Sequence, residues 1–196
     1  LSSSSAASDV YKRQTEYQSN SSIKGAIQRM YSSSEAMDAN GLAINLAWLA
    51  ASLVVIAFAA WLIKRLCEEH LLVDAQLVTA LTLLLISPVS WSHHWVWLTL
   101  IIPVFLYRAW TWLPSGWAAG SLLTVLIAWG AMLLTVPPKW WWGDQVDVHA
   151  MERYQKFWVD DFVWLTLLSV ALYAAALYAA RRNRSARSAT PAPLAS

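Results

Sequence analysis

Two histidines stand side by side in the stretch Ser87-Pro88-Val89-Ser90-Trp91-Ser92-His93-His94-Trp95, between two strongly apolar segments. Pro88 cannot continue a helix without losing a hydrogen bond, so the preceding segment should end there. Ser90 or Ser92 is then placed to cap the next helix. A helix N-terminus offers unpaired N–H groups and a partial positive charge, a setting that suits a phosphate. Imidazoles in the first turn add hydrogen-bond donors and, when protonated, charge. Their rings should point about 100° apart on a helix. One of them therefore faces the anion, and His94, deeper in the helix start, is the expected one. The bland alternative is a pair of polar anchors at the edge of an apolar segment. A metal site is not expected, because the further candidate His149 has no ligand spacing to the pair.

A second stretch reads Asn20-Ser21-Ser22-Ile23-Lys24-Gly25-Ala26-Ile27-Gln28-Arg29. Asn20-Ser21-Ser22 fits a glycosylation acceptor, a short pattern that occurs often by chance. Read as a binding loop, Asn20 and Ser22 supply polar groups, Gly25 permits a tight backbone, and Lys24 and Arg29 are available to an anion. As a bare charge pattern the same residues describe a solvated loop. A third stretch, 137–161, mixes Lys139, Asp144, Asp147, Glu152, Arg153, Lys156, Asp160 and Asp161 with aromatics. Paired carboxylates could do acid–base work. The simpler expectation is a solvated loop carrying an interfacial helix over 148–158. Asp160 and Asp161 then sit at the positive end of the next helix dipole.

The elements that must position these residues follow from composition. Of 196 residues, 58% are hydrophobic and only 13% charged, about half the charged share of a soluble domain. One small core cannot absorb that much apolar surface. Fourteen tryptophans argue against disorder, and the single Cys67 excludes a disulfide framework. A net charge of +2 gives no ground for expecting nucleic acid as a partner. Five apolar segments, 42–63, 71–87, 95–112, 117–136 and 162–180, point to an all-α, multi-spanning transmembrane bundle over 42–180. Arg108, near the end of the third, is close enough to the boundary to snorkel.

Seven of the twelve Lys and Arg residues beyond position 14 then fall on one side: Lys64, Arg65, Arg108, Arg181, Arg182, Arg184 and Arg187. Positive residues near span ends favour the cytoplasm, so the external loop 15–41, the turn 87–94 and the loop 137–161 are expected outside, with Trp140, Trp141, Trp142 and Trp158 in an outer aromatic belt. Residues 181–196 read as a disordered basic cytoplasmic tail. The first 14 residues, LSSSSAASDVYKRQ, contain the in-frame translation of a sequencing adapter and are set aside from the fold; the chain is expected to be the C-terminal part of a longer protein.

The Asn20–Gly25 pattern followed, after one span, by SPVSWSHHWVW at 87–97 resembles the C-terminal part of glycosyltransferase family 87, over roughly residues 18–180. These are bacterial membrane mannosyltransferases of the GT-C class. Ser21 departs from the family pattern, which has Gln there. The resemblance implies a polyprenyl-phosphate-mannose donor, a glycolipid or polysaccharide acceptor, transfer at the outer face of the plasma membrane, membrane lipid around the spans, and no cofactor. It also implies a catalytic Asp in a first external loop upstream, so no catalytic base is expected within these 196 residues, and the chain alone should be inactive. The donor phosphate would then be held by candidates from Ser90, Ser92, His93, His94, Asn20, Ser22, Lys24 and Arg29. A non-catalytic multi-pass protein, a transporter half or an assembly scaffold, is the competing reading. Transporters, however, place polar sites near the bilayer midplane, and here the distinctive polar residues lie at the boundary.

Overall fold

A computed structural model describes residues 17–143 and 146–189, with side chains to 186. The adapter-like residues 1–14, Asp144 and the end of the tail lie outside the described residues. Two short helices open the chain, α1 (Ile23–Arg29) and α2 (Ser34–Ala39). The long α3 (Gly41–Glu68) and the shorter α4 (Leu72–Ile86) form a hairpin, reversed at His70, whose φ of +56° is left-handed. A 3₁₀ turn (Ser92–Trp97) leads into α5 (Leu98–Trp112), followed by α6 (Trp117–Leu133), the interfacial α7 (Arg153–Val159) and α8 (Asp161–Ala189). The described residues form no strand, and the all-helical bundle expected from composition is what folds.

Four stretches are long and apolar enough to cross a membrane: Gly41–Glu68, Ser92–Ser115, Trp117–Trp140 and Asp161–Ala186. This is a multi-pass membrane protein. The second expected span is only the 15-residue α4, about 22 Å at 1.5 Å per residue and short of the ~30 Å hydrocarbon core. Its upper limit is set by Ser87 and Pro88. Its lower end carries Asp74, fully buried rather than at a boundary.

α6 and α8 pack over small buried residues, Ala118, Ala119, Ala176 and Ala180, which let two backbones approach closely where no water drives association. Larger side chains fill the centre: Leu62 and Leu66 from α3, Val78 and Leu81 from α4, Phe105 from α5, Leu126 and Trp129 from α6, and Tyr173 from α8. Within this core Arg108 does not snorkel. Its Nε and Nη2 donate to both Asp74 oxygens at 2.9 Å, and the Tyr173 hydroxyl donates to Asp74 Oδ1 at 2.5 Å. One carboxylate thus ties α4, α5 and α8 together at the end of the bundle remote from the histidines.

Candidate functional site

The two polar stretches singled out in the sequence meet. Asn20 and Trp91 form an isolated antiparallel bridge, and Ser21 N donates to Ser90 O at 2.8 Å. The Asn20 side chain bonds in both directions: Oδ1 accepts from Ser90 N at 2.8 Å, and Nδ2 donates to Pro88 O at 3.2 Å. Ser22 caps α1, its Oγ accepting from Gly25 N at 3.1 Å, while the same hydroxyl donates to Pro88 O at 3.3 Å. Residues 20–22 therefore hold the 88–91 backbone, whose amides no helix satisfies. A Cβ on Gly25 would lie 2.8 Å from Asn20 O and 2.9 Å from Asn20 Nδ2, so the clasp closes only over glycine.

These contacts correct two expectations. The stretch 20–29 is no solvated loop, since Asn20, Ser21 and Ser22 are buried and α1 packs on α3. Asn20 is also no glycosylation acceptor in the folded chain, because its amide is fully buried and bonded. The cap expectation fails as well. Trp91 precedes the 3₁₀ turn, no side chain caps it, and the buried Ser90 hydroxyl has no hydrogen-bond partner among the described residues.

Behind the clasp lie two buried ion pairs that the sequence did not announce. Arg29, fully buried, donates through Nε to Asp160 Oδ1 at 3.0 Å and through Nη2 to the same oxygen. Its remaining donors reach Tyr17 O at 2.7 Å and Asn20 O at 2.9 Å. Lys139, also fully buried, donates to Ser21 Oγ at 2.5 Å, pairs with Asp161 Oδ1 at 3.2 Å and sits 3.2 Å from the Phe162 ring centroid. Burial holds the Asp160 carboxyl above the usual carboxylate range, opposed by Arg29 and Lys139. Arg29 is thus occupied in the fold and not presented to an external anion. The half-buried Lys24 lies 4.9 Å from the Trp48 ring centroid. In the loop 137–161 the expected helix shortens to α7, and Lys139, Asp160 and Asp161 are interior rather than solvated.

The clasp leaves His93 and His94 exposed at the end of the bundle. Their rings meet edge to face, centroids 4.3 Å apart and planes at 72°. They occupy a 3₁₀ turn, where successive side chains diverge by about 120° instead of 100°. His93 lines, with Ser92, a cavity of about 630 Å³ bounded by apolar residues of α5 and α6 and by Phe162. His94 lines a separate one of about 220 Å³ with Ser87, Ser90 and residues of α4. His149 is remote in its bonding, its Nδ1 meeting Tyr31 O at 2.9 Å. Among the described residues no group of three or more His, Cys, Asp or Glu is placed to hold a metal. Around this end Trp141 packs on Trp142 and Trp158, and Phe157 stacks on Trp164, an exposed aromatic collar of the kind found at membrane interfaces.

Residues 4–88 match Glycosyltransferase family 87, which takes in Asn20, Gly25 and Ser87-Pro88. The chain is related to glycosyltransferase family 87. The family 87 match starts at residue 4, inside the stretch set aside as adapter-like. Among curated proteins, the chain is 30% identical over 156 residues to a polyprenol-phosphate-mannose-dependent alpha-(1-2)-phosphatidylinositol mannoside mannosyltransferase of Mycobacterium tuberculosis, covering 76% of this chain and 34% of that protein. It is 35% identical over 117 residues to the corresponding pentamannoside mannosyltransferase of M. tuberculosis, covering 60% and 23%. A Mycolicibacterium smegmatis phosphatidylinositol mannoside mannosyltransferase is 35% identical over 89 residues, covering 40% and 20%. The chain therefore spans about a third or less of the length of the curated relatives it matches. No solved structure matches it significantly.

Proposed function

We propose that this chain supplies the donor-phosphate end of a membrane mannosyltransferase, which moves mannose from a polyprenyl-phosphate donor to a glycolipid or glycan acceptor at the outer face of the plasma membrane. The observation that carries this reading is the clasp itself. Two polar motifs 66 residues apart are bonded into one rigid unit beside an aromatic collar, and that unit presents two imidazoles next to a cavity with almost wholly apolar walls. A polyprenyl phosphate has the matching halves, an apolar tail and an anionic head. The phosphate would meet Ser92 and an imidazole, and donors fixed in place before the reaction stabilise charge on a departing phosphate without reorganising. The sequence favours His94 for this task. The cavities favour His93, which borders the larger and more apolar space. The base that takes the acceptor proton is assigned to a part of the protein outside these 196 residues. The names of the mycobacterial relatives support the donor, and suggest a phosphatidylinositol mannoside as one acceptor of this class.

The test is turnover of a polyprenyl-phosphate-mannose donor by the longer protein that contains this segment, carrying His93→Ala or His94→Ala. Losing a charge-stabilising donor lowers turnover by about 10²–10³. The expected result is that loss for His93→Ala, a smaller one for His94→Ala, and unchanged thermal stability to within ~1 kcal/mol for both. If neither substitution lowers turnover tenfold in folded protein, the assignment of the phosphate to this turn is overturned. Orientation has its own test, since Cys67 is exposed at the end opposite the histidines. An impermeant thiol reagent should leave Cys67 unlabelled in intact cells and label it after permeabilisation. Labelling in intact cells would reverse the sidedness.

A further inference from the structure

At the end of the bundle opposite the histidines, α3 and α8 enclose a groove of about 490 Å³. Its lining is divided lengthwise. Trp61, Ala174 and Leu177 form an apolar stretch toward the middle of the bundle, and Arg65, Arg181, Arg182 and Ser185 form the mouth, with Tyr178 between. The α8 residues are spaced 174, 177, 178, 181, 182 and 185, one continuous face of a helix. The α3 residues, 61 and 65, face it one turn apart.

The charges around the mouth do not cancel. Glu68 accepts from Arg65 at 2.9 Å and from Arg181 at 3.3 Å. Glu69 pairs with Arg181 at 3.0 Å and with Arg184. Three guanidinium groups thus share two carboxylates. Arg182 is exposed, lines the groove and makes no ion pair among the described residues. A cationic mouth above an apolar floor, at the level where apolar spans give way to charged residues, has the polarity profile of one lipid molecule.

We propose that this groove is a binding site for an anionic phospholipid of the surrounding bilayer, with its phosphate between Arg182 and Arg181 and one acyl chain along Ala174, Leu177 and Trp61. Guanidinium groups recognise phosphate through paired N–H donors, which a zwitterionic headgroup partly neutralises with its own amine. Basic clefts between spanning helices favour anionic headgroups for the same reason. The site is independent of the donor-phosphate reading. It lies at the other end of the bundle and shares no residue with it.

The experiment is native mass spectrometry of the detergent-solubilised chain titrated with phosphatidylglycerol or phosphatidylcholine of identical acyl composition. The expected result is a preference for phosphatidylglycerol, lowered about fivefold by Arg182→Gln, the worth of one basic side chain near an anionic lipid. Arg182→Lys should retain much of it. Because Arg182 bonds to no carboxylate among the described residues, its replacement leaves the helix pairing intact, and circular dichroism checks this. Ala174→Trp, which fills the apolar floor, should weaken both lipids. Equal binding of the two lipids by the unaltered chain, or an undiminished preference in Arg182→Gln, overturns the proposal. Displacement of the lipid by millimolar inorganic phosphate also overturns it, because the occupant would then be a free anion with no acyl chain in the groove.

Discussion

Two charged clusters at opposite ends of this bundle, one behind the clasp and one around Glu68 and Glu69, handle charge differently. At the histidine end, Arg29, Lys139, Asp160 and Asp161 are all buried and are bonded to one another, to the Tyr17 and Asn20 carbonyls or to the Ser21 hydroxyl. At the arginine end, Arg65, Arg181 and Arg184 reach Glu68 and Glu69 from exposed positions. Exposed pairs contribute little, because water and salt screen them. Buried pairs barely offset their own desolvation, yet breaking one leaves an uncompensated charge in a low dielectric. The consequence is a division of labour. Behind the clasp full charges fix geometry, and the turn beside it presents imidazoles and the Ser92 hydroxyl. At the arginine end the buried Asp74–Arg108 pair also fixes geometry, while the pairs around Glu68 and Glu69 stay accessible and contribute little to the fold.

The largest expected effect breaks the buried arrangement. Asp160→Leu should destabilise the protein by about 3–5 kcal/mol, since Arg29 would remain buried without its carboxylate. Arg29→Met combined with Asp160→Leu should recover most of that loss, because an apolar pair of similar volume carries no desolvation penalty. Thermal unfolding in a fixed detergent measures both. A double variant no more stable than the single one would show that the pair holds the clasp through the Arg29 bonds to Tyr17 and Asn20, not through charge compensation.

A smaller effect sharpens the same comparison at the clasp. Gly25→Ala pushes a methyl group to within 3 Å of the Asn20 carbonyl and amide. The turn must shift, at a cost of about 1–3 kcal/mol. The signature should be local, with faster hydrogen exchange at the Ser21 and Ser90 amides and little change in α5 or α6. Uniform loss of protection along the bundle would mean that the clasp is part of the core and not a separately supported unit.

Much of this architecture is legible in the residues. Long uncharged runs specified α3, α6 and α8, and Pro88 marked the end of α4 because it has no N–H to donate. Charge asymmetry separated the two ends, and Asn20–Gly25 and the turn around His93 stood out as unusual patterns on one side. The pairings were not legible. Arg29 and Asp160 are 131 positions apart, and no periodicity links them. Read alone, Arg29 looks free for an anion and Asp160 looks like a helix-dipole charge. Arg108 misled in the same way, reading as a boundary residue free to snorkel while the fold pairs it with the buried Asp74 beside Tyr173. Helix capping also failed at Ser90 and Ser92. The 88–91 backbone obtains its partners from Asn20 and Ser22, which no local rule could supply. Local signals foretell elements, whereas the site arises from contacts between elements.

The smallest effect is expected at the other end, and its smallness is the point. Arg184 is more than half exposed and bonds to Glu69, which Arg181 also reaches at 3.0 Å. Arg184→Gln should therefore change stability by less than about 0.5–1 kcal/mol, and raising salt should shrink the difference further. The same salt increase should leave the cost of Asp160→Leu nearly unaltered, because the buried pair is out of reach of mobile ions. Unfolding temperatures of both variants at low and high salt give the comparison directly. If Arg184→Gln is as costly as Asp160→Leu, or if both respond equally to salt, then the exposed pairs are structural too and the division between the two clusters is wrong. If only the exposed pair responds, the arginine end is available for charged ligands at almost no expense to the fold, and the histidine end owes its rigidity to charges that no ligand can reach.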